Sequence, residues 1–80
     1  MKNVLYTRHA RSRMRQHHIS ETSVVSALEI PEQLLPSIKN RYNALKKVTE
    51  GTIIRVTFVE ETDHILVITV SPRKHFQKEA

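Results

Sequence analysis

Thr52-Ile53-Ile54-Arg55-Val56-Thr57-Phe58-Val59-Glu60, followed by Glu61-Thr62-Asp63 and then His64-Ile65-Leu66-Val67-Ile68-Thr69-Val70, is the stretch that decides the fold. Both apolar runs are rich in Val, Ile and Thr, whose branched side chains suit a pleated, half-buried surface, and the polar trio between them supplies a turn. The pattern predicts an antiparallel hairpin. Alternation sends Ile54, Val56 and Phe58 to one face and Ile53, Arg55, Thr57 and Val59 to the other, so Arg55 interrupts an otherwise apolar segment. An arginine in a central strand needs a partner. It can pair with a carboxylate of the second helix or join a concave anion site shared with Arg41 and Arg13.

Working upstream, Tyr42 to Val48 reads as a third strand, joined to the hairpin through Thr49-Glu50-Gly51. Gly51 is the single glycine of the chain, placed where a three-residue hairpin loop needs a positive φ. Gln33 to Ile38 is predicted as a fourth strand, turned into Tyr42 through Asn40. Pro36 has no N–H to give a ladder, so this strand should be short and at an edge. Before Pro31 the period changes to that of a helix. Thr7 can cap a helix running to about His17, and Ser20 can cap another over Glu21 to Glu29, which ends ahead of Pro31. The expectation is an α+β fold with two N-terminal helices packed on a three- or four-stranded antiparallel sheet. Residues 1–80 form one domain, of which 72–80 is a basic tail, with Arg73, Lys74, His75 and Lys78, free to be flexible.

A chain of 80 residues sustains one core. With no cysteine it lacks disulfides, thiolate metal sites and thiol nucleophiles, as befits a reducing compartment. The longest apolar stretch, near Ile65 to Val70, is far short of the roughly 20 residues that cross a bilayer, so a soluble, cytoplasmic protein is expected. The arginine-rich start carries no apolar signal core, and its regular pattern predicts a folded helix. The charge is unevenly spread: Lys2, Arg8, Arg11, Arg13 and Arg15 precede Ser20 with no acid among them, and this accounts for the whole formal excess of +5. Such clustering attracts polyanions, RNA foremost, although a solvated helix face would show the same composition.

At about 100° per residue, Tyr6, Ala10, Met14 and His17 share the side of the first helix that faces the sheet. Arg8, Arg11 and Arg15 lie on the water side as candidate RNA contacts, with Tyr42, Arg73 and Lys74 elsewhere in the chain. His9 and Arg13, one turn apart, border the apolar side. Held there, Arg13 can either grip a phosphate or pair with Glu29 or Glu60. Lys46 and Lys47 point to opposite faces of their strand, so at most one joins Arg55.

One glycine cannot build a phosphate-cradling loop, no two histidines stand four apart on a helix as zinc ligands, and no serine lies in a nucleophile elbow. Neither a metal nor another cofactor is expected. Metal-free RNA cleavage asks for less: a proton acceptor, a proton donor and cations to stabilise the charge on the phosphorane. His9 or His75 can move protons, Tyr42 can donate one or stack on a base, and Arg13, Arg41 and Arg55 can hold the phosphate.

The segment Tyr6-Thr7-Arg8-His9-Ala10-Arg11-Ser12-Arg13-Met14, with Ile19-Ser20, Ile54-Arg55-Val56 and Val67-Ile68-Thr69-Val70, resembles a bacterial family of short uncharacterised domains with a His-Ala-x-x-Arg-Met and Ile-Ser signature. The resemblance spans nearly the whole chain. It implies the fold of the RelE, ParE and BrnT toxins, two helices against an antiparallel sheet, several branches of which cut RNA without metal. By position it carries over His9, Arg13 and Arg55, and less firmly Arg41, as catalytic candidates. Where the family pattern has Arg-Gly before Ile-Ser, this chain has His17-His18, and the terminal tyrosine of some RelE members has no counterpart. The expected function is that of a toxin-like, RNA-directed protein, as a metal-independent endoribonuclease of a toxin–antitoxin system with an acidic antitoxin as partner. The alternative is a non-catalytic nucleic-acid or protein-binding module of the same fold.

Overall fold

In the computed structural model, which describes residues 2–49 and 51–77, the chain forms β1 (Asn3–Tyr6), α1 (Arg8–His17), α2 (Glu21–Glu29), β2 (Gln33–Pro36), β3 (Tyr42–Thr49), β4 (Thr52–Glu60) and β5 (His64–Arg73). The order across the sheet is β1-β5-β4-β3-β2. The α+β class and the β2–β3–β4–β5 meander match the sequence reading, with β4 in the centre and the proline-bearing β2 at an edge. Two features differ. The sheet has five strands, and it is mixed, because β1 lies parallel to β5 with Asn3 opposite His64 and Tyr6 opposite Val67.

Strand β1 escapes a pattern search because it is four residues long and gains its place from a distant strand. Thr7 fixes it there. Its N–H donates to the Val67 carbonyl (3.0 Å), and its hydroxyl donates to the Ile68 carbonyl (2.8 Å) while accepting from the Ala10 N–H (3.0 Å). Ile68 is the extra residue of a β-bulge, since Thr69 faces Thr57 and Val67 faces Phe58. The bulge frees a carbonyl and the helix cap takes it, which ties the start of α1 to the sheet.

At the other end of α1, His18 takes the left-handed conformation (φ 55°), and the Ile19 N–H reaches back to the Met14 carbonyl at 2.9 Å. This is the position where glycine ends many helices, and a histidine there is strained. Ser20 then caps α2 by accepting from the Ser23 N–H (3.1 Å). Gly51 has φ +79°, and Thr49 pairs with Thr52, so positions 50 and 51 alone connect β3 to β4, one fewer than the expected three-residue loop.

Both helices cover one face of the sheet. Ala10 and Met14 of α1, with Val24 and Ala27 of α2, pack on Ala44, Ile54, Val56, Phe58, Ile65, Val67 and Val70. Strand β5 runs three residues past the predicted Val70 because Ser71, Pro72 and Arg73 pair with Arg55, Ile54 and Ile53. Much of the supposed flexible tail is therefore sheet or is docked on it: Pro72 and Arg73 lie in β5, and Gln77 is bonded to Gln33. Residues 78–80 of that tail lie outside the described residues.

Candidate functional site

Strand alternation gives the sheet a second face that no helix covers. Three rows of side chains run across its middle: Lys47, Ile53 and Arg73; Leu45, Arg55 and Ser71; Asn43, Thr57 and Thr69. Arg41, one step before β3, continues the phase of Asn43. Four basic residues thus share this face, and among the described residues no strand position on it is acidic.

The middle of the face is nevertheless buried. Leu45 is 1 % exposed, and Ile53, Asn43, Thr57 and Ser71 are also buried. A covering segment is needed, and the chain after β5, which is bonded to the far edge strand, is placed to supply it. Gln33, the β2 residue opposite Leu45, donates through Nε2 to the Gln77 carbonyl and accepts through Oε1 from the Gln77 N–H, both at 2.8 Å. To pass from Arg73 to that clamp, residues 74–77 cross the positions of β4 and β3. The segment spans three strand positions, and it bends at Lys74 and His75 as it leaves β5.

Beneath this segment the polar groups are unevenly satisfied. The Thr57 hydroxyl donates to Asn43 Oδ1 at 2.7 Å, a buried bond that holds the floor of the face. Arg55 is half-buried, and its Nε and the hydroxyl of neighbouring Ser71 are buried with no hydrogen-bond partner among the described residues. Burial, and then the nearby charge of Arg73, push the Arg55 guanidinium below its ordinary pKa. Desolvated cations without counter-ions bind anions through strengthened, charge-assisted hydrogen bonds.

The four residues expected to gather around a phosphate do not meet. His9 is exposed and Arg13 half-buried on α1, so the whole sheet separates them from Arg55. Arg41 shares the face of Arg55 but sits four residues along the ladder from Leu45, about 13 Å away. The proposed ion pairs are not formed either. Among the described residues Arg13 has no acidic partner, Glu60 holds Lys2 at 2.9 Å, and Arg55 points away from α2. Of the lysine pair, Lys47 joins the Arg55 face, whereas Lys46 pairs with Ile54 on the helix side.

The expected RNA contacts divide in the same way. Arg8 and Arg15 are exposed on α1. Arg11 is engaged: its guanidinium lies 4.1 Å from the Tyr6 ring centroid and 2.9 Å from Glu21 Oε2. Burial and the Glu21 carboxylate raise the Tyr6 hydroxyl above its ordinary pKa, partly countered by Arg11, and that hydroxyl has no hydrogen-bond partner among the described residues. Tyr42 is on the helix side of the sheet, tilted against Phe58 at 6.0 Å between ring centroids, so it does not reach Arg55. Arg73 stands in the first row of the open face, and Lys74 and His75 follow on the crossing segment. Ser71 and the Gln33 clamp were not singled out from the sequence. Parity along β5 could have found Ser71, but nothing local signals a contact between residues 33 and 77.

The family model described as Domain of unknown function (DUF4258) matches residues 6–72. Among solved structures, the fold is similar to the crystal structure of the Brucella abortus ribonuclease toxin BrnT, with a TM-score of 0.69 and 14 % sequence identity over 94 % of this chain and 100 % of that one. At that identity the likeness establishes the fold. No curated protein matches.

Proposed function

The chain belongs to the DUF4258 family, and on that premise we propose that it is a toxin-like protein directed at RNA, which it holds by the phosphodiester backbone on the open face of its sheet. Arg55 and Arg73 contact the phosphate, with Lys47 and Arg41 extending the track. One observation carries this reading. Arg55, in the middle of a central strand, keeps a buried Nε that has no partner among the described residues, on a face devoid of strand carboxylates. A structural arginine would be closed off by an acid. The likeness to the BrnT fold supports the toxin-like part. Arg8, Arg15 and Arg13, on the helix layer, add a field that steers polyanions without touching the same phosphate.

Cleavage is the finer part of the proposal. The 2′-oxygen would attack the adjacent phosphorus as the P–O5′ bond breaks, leaving a 2′,3′-cyclic phosphate and a free 5′-hydroxyl; Arg55 would stabilise the charge gathering on the phosphate oxygens, and His75, the imidazole on the segment after β5, would take the 2′ proton and return it to the leaving 5′-oxygen. His9 lies on the wrong side of the sheet for that role, and this separation favours a second reading, a module that binds RNA without cutting it. An acidic antitoxin segment would compete for the same cations, and the working compartment would be the cytoplasm.

The test is to incubate the purified protein with labelled single-stranded RNA in EDTA and to follow both cleavage and binding. Arg55-dependent cleavage, with growth arrest on expression, supports the endoribonuclease. Salt-sensitive, Arg55-dependent binding with intact RNA supports the module. Neither activity in soluble, folded protein rejects both.

A further inference from the structure

On the open face, Arg55 Nε and the Ser71 hydroxyl are sealed from solvent, and the chain after β5 is held beside them. Leu45 and Ile53 are as buried as core residues although no helix reaches them, and Phe76 on the crossing segment is itself half-buried. The segment is anchored covalently at Arg73 and, at its far end, by the Gln33 amide clamp on the Gln77 backbone. That clamp copies the paired bonds of a strand neighbour, but it uses one side chain and lies at an exposed edge. Both bonds break together when the side chain rotates, and the half-buried Phe76 is the apolar anchor that remains among the described residues of the segment.

We propose that residues Lys74–Gln77 form a strap, latched by Gln33, that occludes the Arg55–Ser71 subsite, and that a phosphodiester reaches this subsite only when the latch opens. The inference rests on the RNA-directed reading of this face. The chemistry of the covered groups fits an anionic ligand: Arg55 Nε and the Ser71 hydroxyl are both donors without a partner among the described residues, on neighbouring strands and directly opposite each other in the ladder. A strap carrying a carboxylate would satisfy them in place. This one carries Lys74, His75, Phe76 and Gln77, so it covers the donors without supplying an acid. Among the described residues, the closed state therefore leaves Arg55 Nε and the Ser71 hydroxyl sealed but without a counter-charge. A ligand that displaces the strap gains interactions that the strap itself does not make. Its apparent affinity is reduced by the fraction of molecules in which the latch is closed, and variants that weaken the latch remove that reduction.

The experiment compares the parent with Gln33→Ala and Phe76→Ala, measuring amide hydrogen exchange at Gln77 and fluorescence-anisotropy binding of a labelled oligouridylate, each with and without Arg55→Gln. Gln33 is at an edge strand, so its variant keeps the core. Phe76→Ala weakens the strap without touching the sheet. The expected result is faster exchange at Gln77 in Gln33→Ala and, in both variants, RNA binding tighter by on the order of tenfold, lost again on adding Arg55→Gln. Unchanged exchange at Gln77 in Gln33→Ala would overturn the latch. Faster exchange with unchanged Arg55-dependent affinity would overturn the strap and leave the RNA reading standing. Absence of Arg55-dependent binding in the parent and both variants would bring down the two together.

Discussion

Replacing Arg55 by methionine should make the protein more stable and less able to bind RNA. Methionine keeps the straight apolar stem that runs between Leu45 and Ser71 in the ladder and deletes the guanidinium. A buried donor without a partner costs roughly 1–3 kcal/mol. Because Arg55 is half-buried and only its Nε is sealed, the lower end applies, so the variant should gain about 1 kcal/mol. For a domain of this size that raises the midpoint by roughly 4–8 °C. The same deletion removes one phosphate contact. The slope of log affinity against log salt should become shallower by about 0.7 on single-stranded RNA, and affinity at fixed salt should fall roughly tenfold or more. Urea unfolding followed by circular dichroism gives the first quantity, with an unchanged m-value required, and anisotropy titrations across a salt series give the second. A loss of 1 kcal/mol or more in stability would refute the reasoning, since it would mean that the guanidinium holds the sheet together and is not waiting for a ligand.

Other substitutions probe the scaffold. Thr57→Val leaves the buried Asn43 Oδ1 without its donor and should cost about 1–3 kcal/mol in urea titrations, much of it recovered when Asn43→Leu removes the acceptor as well. His18→Gly relieves the left-handed conformation at the end of α1 and should raise stability in urea titrations by about 0.5–1 kcal/mol after the greater freedom of glycine in the unfolded chain is counted. Tyr6→Phe keeps the ring under Arg11 and removes an unpartnered buried hydroxyl, so stability at neutral pH should hold or rise. Since burial raises the folded pKa of Tyr6, its neutral form contributes fully below the unfolded value near pH 10, and that contribution is lost as pH climbs through the higher folded value. Stability curves should therefore fall less steeply above about pH 10 in Tyr6→Phe than in the parent.

The local signals were strong wherever a residue acts on its chain neighbours. Thr7 and Ser20 cap the helices, Gly51 has the positive φ of its turn, Pro36 marks the edge, and the β-branched run Thr52–Glu60 keeps its predicted bounds. Each of these depends on steric or hydrogen-bonding preferences that span a few residues. The candidate site was legible only in part. Arg55 stood out because a charge in an alternating apolar strand is visible in one dimension, and Arg73 belonged to an evident basic stretch. The grouping of Arg55 with His9 and Arg13 was wrong because residue type and spacing do not say on which side of a sheet a helix lands.

What the sequence determined by itself is the set of secondary elements and the two faces of each, since helix and strand periods are properties of the backbone alone. Tertiary structure decided which faces meet. It placed β1 beside β5 through the Thr7 hydroxyl and the carbonyl freed at the Ile68 bulge, put the α1 basic residues across the sheet from Arg55, and folded Gln77 back onto Gln33. Contacts of this kind join residues more than forty positions apart. Their free energy comes from surface buried and donors satisfied only after the sheet has closed, so no local window of the chain contains them.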